Sequence, residues 1–213
     1  YANDTATAAV KGSLSQIRYE LDATGNLSYG YFAGPQSPTR SEFDRIDYGN
    51  DTATALTKGP LSAAETNSNT TGNLSYAYWG AGYTPPFPST WNTNVDRLDY
   101  SNDSSVMAPK GPLSVVRKGQ GVATGNLSYG YWCAGQTPST TSVVDRVDYD
   151  NDTSTATPKG PLSLKRNGPG ATGTQSYGYI GGGEPGPSRT STIDRVDYSN
   201  DTATGLSKGP LTV

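Results

Sequence analysis

The chain has no histidine at all. That absence removes Ser-His-Asp and Cys-His catalysis and every imidazole-based zinc or copper site. A single cysteine, Cys133, excludes an internal disulfide and leaves the redox compartment unassigned. It takes the place of Ala33, Ala81 and Gly182 in parallel parts of the sequence, which suits a small packing residue. Sixteen basic residues, none in a run, with a net charge of -3, give no electrostatic footprint for nucleic acid. No apolar stretch approaches the ~20 residues needed to span a bilayer, and no signal-peptide pattern is visible where the chain opens in mid-repeat. Hydrophobic residues make up only 32%, which raises the question of disorder. Against it stand the small net charge and fifteen tyrosines, whose large half-buried surfaces suit strands. A folded, thin-layered β protein is expected.

What the sequence has in abundance is itself. The phrase Ile193-Asp194-Arg195-Val196-Asp197-Tyr198-Ser199-Asn200-Asp201-Thr202, running on to Lys208-Gly209-Pro210-Leu211, recurs nearly unchanged from Phe43, Val95 and Val144. Its second half also opens the chain, from Tyr1 to Leu14. The aligned tyrosines Tyr1, Tyr48, Tyr100, Tyr149 and Tyr198 are 47, 52, 49 and 49 residues apart. A fixed period of this size marks a propeller, solenoid or array whose units cannot bury a core alone. The chain is therefore read as one repeat domain, 1–213. Residues 1–15 form a lone copy of the last strand, followed by units at 16–62, 63–114, 115–163 and 164–213.

Each unit divides into four short segments. In the third, Val115 to Thr124 is closed by Gly125-Asn126. Leu127 to Trp132 follows with a period of two, as a strand requires. Then come Val143 to Tyr149 and, after the Asx-type turn at Asn151-Asp152-Thr153, Thr153 to Thr157. The recurring small residue in the second segment (Gly30, Ala77, Gly130, Gly178) implies a close backbone or bulky ring. No 3.6-residue apolar stripe is present, so helix content should be very low. The copies differ most between segments two and three, as in a constant scaffold with one adaptable rim.

In this order the unit resembles the kelch-type β-propeller repeat. Val144-Asp145-Arg146-Val147-Asp148-Tyr149 is similar to that family's third strand, Gly160-Pro161-Leu162 to its exit, and Tyr177-Gly178-Tyr179-Ile180-Gly181-Gly182-Gly183 to its glycine-paired second strand. The family's usual tryptophan in the fourth strand is missing. The resemblance implies an all-β, kelch-like propeller of about four four-stranded blades plus one extra N-terminal strand. That strand duplicates the last one instead of complementing it. A fragment of a longer ring, a four-bladed ring with a supernumerary strand, and an open array completed by a neighbouring chain all fit. Tyrosine- and Asn-Asp-Thr-rich repeats are also similar to those of repetitive proteins of aquatic phages and microbes.

The Asp-Arg-x-Asp sets are Asp44, Arg45, Asp47; Asp96, Arg97, Asp99; Asp145, Arg146, Asp148; and Asp194, Arg195, Asp197. They are expected to form a polar belt, each Arg fork binding carboxylates or carbonyls of an adjacent strand or blade. Calcium is the alternative for Asp47, Asn50 and Asp51, although the paired Arg disfavours a cation. Glycosylation sequons fall at Asn3, Asn26, Asn50, Asn69, Asn73, Asn102, Asn126, Asn151 and Asn200. Tyr83, Trp91 and Phe87, in the longest variable loop, are the candidates for stacking on a ligand, whereas Trp79 and Trp132 occupy a core slot. Carboxylate pairs are plentiful but repeat identically, while an active site is normally built once.

A non-enzymatic structural or adhesive module is therefore expected, on an extracellular or virion surface. It would carry no cofactor and would associate with itself or with other surface proteins. A lectin using the variable loops to hold glycans is the competing reading, and an intracellular protein-recognition propeller a third.

Overall fold

The computed structural model describes residues 7–34, 41–84, 90–117 and 119–212. Each repeat folds into one four-stranded antiparallel sheet, with strands paired in chain order. Sheet I contains Asp22–Gly25, Tyr29–Ala33, Glu42–Asp47 and Leu56–Pro60. Sheet II contains Asn69–Gly72, Tyr76–Gly80, Val95–Asp99 and Ala108–Pro109. Sheet III contains Val122–Gly125, Tyr129–Cys133, Val144–Asp148 and Thr157–Lys159. Sheet IV contains Gly170–Gly173, Tyr177–Gly181, Ile193–Asp197 and Leu206–Lys208.

Register repeats with the sequence. Tyr31, Tyr78, Tyr131 and Tyr179 lie opposite Arg45, Arg97, Arg146 and Arg195 in their respective sheets. The first hairpin is closed by an asparagine whose side-chain oxygen accepts two backbone N–H groups, Ser28 and Tyr29 at Asn26 and the equivalent pairs at Asn73 and Asn126. This is the Asx device that short polar side chains supply. After the third strand the chain makes a single 3-10 turn at Tyr48–Asn50, Tyr100–Asn102, Tyr149–Asn151 and Tyr198–Asn200. The fourth strand of sheet III begins at Thr157, later than the expected Thr153, because Asp152 and Thr153 still form that turn and Ser154 bends out of it.

The small residues in the second strand are explained by a ring. A Cβ at Gly30, Gly130 or Gly178 would lie 2.9, 2.7 or 2.8 Å from the hydroxyl of Tyr48, Tyr149 or Tyr198.

The core lies between sheets. Tyr31, Ala33, Phe43 and Leu61 of unit one pack on Ala77, Trp79, Leu98 and Met107 of unit two. Tyr78, Val95 and Leu113 meet Trp132, Val147 and Ala156 in the next cluster. Tyr131, Cys133, Val144 and Leu162 meet Ile180 and Val196 in the third. Tyrosine stacks repeat across the same boundaries: Tyr31 on Tyr100, Tyr78 on Tyr149 and Tyr131 on Tyr198, with ring centres 5.2, 4.6 and 4.6 Å apart. Among the described residues no such cluster joins sheet IV to sheet I, so the row of sheets has two open flanks.

The N-terminal copy lies along sheet I, where residues 7–14 form no regular ladder. Instead the Gly12 N–H donates to the Asp51 carbonyl at 2.7 Å, and the Ala55 N–H donates to the Ser13 carbonyl at 2.8 Å.

Candidate functional site

The chemistry-bearing side chains gather at the junctions between sheets. Asp103, in the turn of unit two, receives Arg45 at 2.6 Å and Lys58 at 3.0 Å from unit one. The Tyr31 hydroxyl donates to the same carboxylate at 3.1 Å. Asp152 receives Arg97, Lys110 and Tyr78 at 2.7, 3.1 and 2.9 Å. Asp201 receives Arg146, Lys159 and Tyr131 at 2.8, 3.1 and 2.9 Å. Each arginine is held flat, its guanidinium carbon 4.3 Å from the ring centre of Tyr29, Tyr76 or Tyr129. Burial works against the Asp103 charge, but hydrogen bonds from Lys58 and Arg45 outweigh it and hold its carboxyl below the ordinary range. Burial and the neighbouring carboxylate push the Tyr31, Tyr78 and Tyr131 hydroxyls well upward.

The Lys-Gly-Pro exit completes the junction through backbone. The N–H groups of Gly59, Gly111 and Gly160 donate to the carbonyls of Asp103, Asp152 and Asp201 at 3.1, 2.8 and 2.8 Å. A Cβ on these glycines would sit 2.3, 2.0 and 2.0 Å from the carbonyl oxygens of Ser105, Ser154 and Ala203. Only a residue without a side chain lets the two backbones approach so closely.

The three members of each Asp-Arg-x-Asp set therefore have separate duties. The arginines of the first three sets cross to the next sheet. The second aspartates, Asp47, Asp99, Asp148 and Asp197, cap the 3-10 turns by accepting the N–H two residues on, at 2.8–3.0 Å. The first aspartates, Asp44, Asp96, Asp145 and Asp194, are buried and accept the hydroxyls of Ser15, Ser62, Ser114 and Ser163 at 2.5, 2.7, 2.5 and 2.5 Å.

Sequence reasoning missed a second row of arginines. Arg18, Arg117 and Arg166 are buried and pair with Asp44, Asp145 and Asp194 at 3.1, 2.9 and 2.9 Å. In each, Nη1 donates to carbonyls, those of Gly34 and Glu42 in the first case, Ala134 in the second and Thr192 in the third, while Arg18 Nη2 and Arg117 Nε are buried without a partner among the described residues. The signal was present as Ser-x-x-Arg at Ser15, Ser114 and Ser163. The second unit departs from it: Glu65 takes the arginine's place and accepts the amides of Asn92 and Asn94 at 3.0 Å each. Burial, reinforced by Asp96, pushes the Glu65 carboxyl up to about 7 against the pull of the asparagines.

The variable-loop candidates lie at one rim. Tyr83–Thr84 and Thr90–Trp91 form a small ladder with Tyr83 opposite Trp91, and the Tyr83 hydroxyl donates to Glu20 at 3.3 Å. Glu20 also accepts Thr66 and Asn67 at 2.9 and 3.1 Å. It borders a polar cavity of about 490 Å³ whose wall includes Asp22, Asn67, Asn69, Thr70 and Gln120. Burial raises the Asp22 carboxyl, opposed by hydrogen bonds from Ala23 and Thr70. Such a wall of carboxylates, amides and hydroxyls suits a polyhydroxylated ligand. Phe87 lies outside the described residues.

Of the sequons, Asn50, Asn102, Asn151 and Asn200 are exposed on the 3-10 turns, while Asn26, Asn73 and Asn126 are half-buried in hairpin turns. Asn69 is buried, with its side-chain oxygen unpaired, so a glycan there would require the strand to leave the sheet. Asn3 lies outside the described residues. The calcium alternative finds its carboxylates engaged otherwise, Asp47 by the Gly49 N–H and Asp51 by Lys11 at 3.2 Å. Among the described residues no three His, Cys, Asp or Glu side chains converge as metal ligands. Cys133 is buried in the third core cluster, its thiol pushed up to about 12 by burial.

With this geometry in hand, comparison with solved structures is informative. The structure of YjhT aligns with a TM-score of 0.77 at 9% identity, over 96% of this chain and 69% of that one. The architecture is propeller-like. At that identity the likeness concerns the fold alone. No family model matches the sequence, and no curated protein matches it. Among the described residues no helix is long and apolar enough to cross a membrane.

Proposed function

We propose that this chain is a non-enzymatic, kelch-like propeller segment serving as a structural and adhesive module on an extracellular or virion surface. One observation carries the reading: an arginine and a lysine of each of the first three units bind a turn aspartate of the next, by the same contacts at three successive junctions. A framework of this kind spends its polar groups on rigidity and leaves only the variable loops free to differ. Antibody raised against the chain and applied to intact particles or cells of its source tests the assignment. Labelling before lysis is expected, and labelling only after lysis would overturn it.

A second reading, glycan binding at the loop rim, is favoured by the Tyr83 hydroxyl on Glu20 at the mouth of the polar cavity. A glycan array run with the wild-type chain and with Tyr83→Ala and Trp91→Ala decides it. Sugar binding lost in both variants supports a lectin, and no binding by the wild type removes it.

A further inference from the structure

We infer that the open flank of sheet IV is a docking surface for the open flank of sheet I on a second copy of this chain, giving head-to-tail association. The inference deepens the structural reading above and rests on it. It comes from comparing the two flanks with the three junctions already filled.

On sheet IV, the donor half of a junction stands assembled without its acceptor. Arg195 lies 4.3 Å over the Tyr177 ring, as its three counterparts lie over theirs. Among the described residues no carboxylate lies within ion-pairing distance of Arg195 or Lys208. Tyr179 is only half-buried, where Tyr31, Tyr78 and Tyr131 are fully buried. Leu211 is 47% exposed, against 3, 2 and 3% for Leu61, Leu113 and Leu162. Together with Gly170, Ala171, Gly181 and Ile193, Tyr179 and Leu211 line an apolar hollow of about 290 Å³.

On sheet I, the acceptor half stands without its arginine and tyrosine donors. Among the described residues the Asp51 carboxylate holds only Lys11 and is 40% exposed, whereas Asp103, Asp152 and Asp201 are 7, 7 and 8% exposed. Tyr48, the equivalent of the stacked Tyr100, Tyr149 and Tyr198, is 48% exposed. Phe32 is half-buried where Trp79, Trp132 and Ile180 are fully covered. Placing Asp51, Tyr48 and Phe32 of one copy against Arg195, Tyr179 and the hollow of another completes one more junction of the kind seen three times. Arg195 is held over Tyr177 in its bound geometry beforehand, which lowers the ordering cost of that part of the contact.

One element is present twice. Lys11 to Leu14 already fills, on sheet I, the exit position that Lys208 to Leu211 would fill from the incoming copy. The incoming copy must therefore release its own exit segment, Lys208 to Leu211, so the new junction is completed by Arg195, Tyr179 and the Ile193 side of the hollow. Among the described residues the segment is held by the ladder pairs of Leu206, Ser207 and Lys208 and by the Leu211 N–H on the Ser191 carbonyl.

Sedimentation velocity from about 1 μM to 1 mM tests the inference with four samples: wild type, Asp51→Ala, Arg195→Ala, and the two variants mixed in equal amounts. Wild type is expected to form a concentration-dependent series of oligomers. Each variant alone should associate roughly thirtyfold more weakly or worse, since each loses one side of a charge pair desolvated on contact. The mixture retains one intact junction, between Arg195 of one variant and Asp51 of the other, and should stop at dimers. Wild type that stays monomeric, or variants that associate as the wild type does, would overturn the inference. Surface labelling of intact particles is independent of all four samples, so failure here leaves the broader reading standing.

Discussion

The hydroxyl of Tyr131 donates to the carboxylate of Asp201, 70 residues further along the chain and one sheet away. Arg146 and Lys159 bind the two oxygens of the same carboxylate at 2.8 and 3.1 Å. One aspartate thus gathers three residues of the preceding unit. Removing it strands two cations in a largely covered place. Asp201→Ala is expected to cost on the order of 1–3 kcal/mol, discounted for the partial exposure of Arg146. Asp51→Ala, at the open flank, should cost about 0–1 kcal/mol in the monomer. Urea denaturation of both variants below the association range checks the contrast, which equal losses would refute.

The exit glycines make a sharper pair. A methyl on Gly111 would meet the Ser154 carbonyl oxygen at 2.0 Å, while nothing lies within 4 Å of the same position on Gly209. Gly111→Ala should lose roughly 1–3 kcal/mol through forced separation of sheets II and III. Gly209→Ala should stay within about 0.5 kcal/mol of wild type. Thermal melts of the two proteins provide the measurement.

Glu65 gives a pH dependence of stability with a defined direction. Its folded carboxyl titrates at about 7, against an ordinary value of 4.5. Below 4.5 both folded and unfolded chains hold the proton, and stability has its full value. Between about 4.5 and 7 the unfolded chain has released the proton that the folded chain keeps, so stability falls as pH rises. Above 7 the loss is complete. Glu65→Gln should abolish this fall and exceed the wild type by about 1–3 kcal/mol at pH 8. Denaturation series at pH 4, 6 and 8 would show it, and parallel curves for the two proteins would contradict it.

Cys133 should resist thiol reagents. Its thiol is buried, and burial pushes its ionisation up to about 12, so almost no thiolate exists at pH 8. Labelling by a maleimide should be slow in buffer and rapid in denaturant. Fast labelling of the native chain would mean that the third core cluster opens readily.

Much of this architecture was legible because local chemistry and the repeat point the same way. Asn126 before a period-two strand, a lone glycine beneath a tyrosine ring, and Lys-Gly-Pro at each exit all specify backbone geometry within a few residues. The partners of the ionic groups were not legible at that level. Arg45 and Asp44 are neighbours in sequence, yet a strand sends them to opposite faces, one toward Asp103 on the next sheet and the other toward Arg18. Such pairings depend on how sheets stack. Arg18, Arg117 and Arg166 escaped notice for a related reason: the Ser-x-x-Arg spacing is short and is broken by Glu65 in the second unit. At the rim the sequence marks Tyr83, Trp91 and Phe87 as candidates but not Glu20, since the contact of Tyr83 with Glu20 spans two units.

The glycine-to-carbonyl approach at the three filled junctions has a bearing on how the number of units can change. Every latch is closed by groups from two adjoining units only, so copying or losing one whole stretch of about 49 residues disturbs a single boundary. A chain built this way can gain or lose a whole unit without any interior being redesigned.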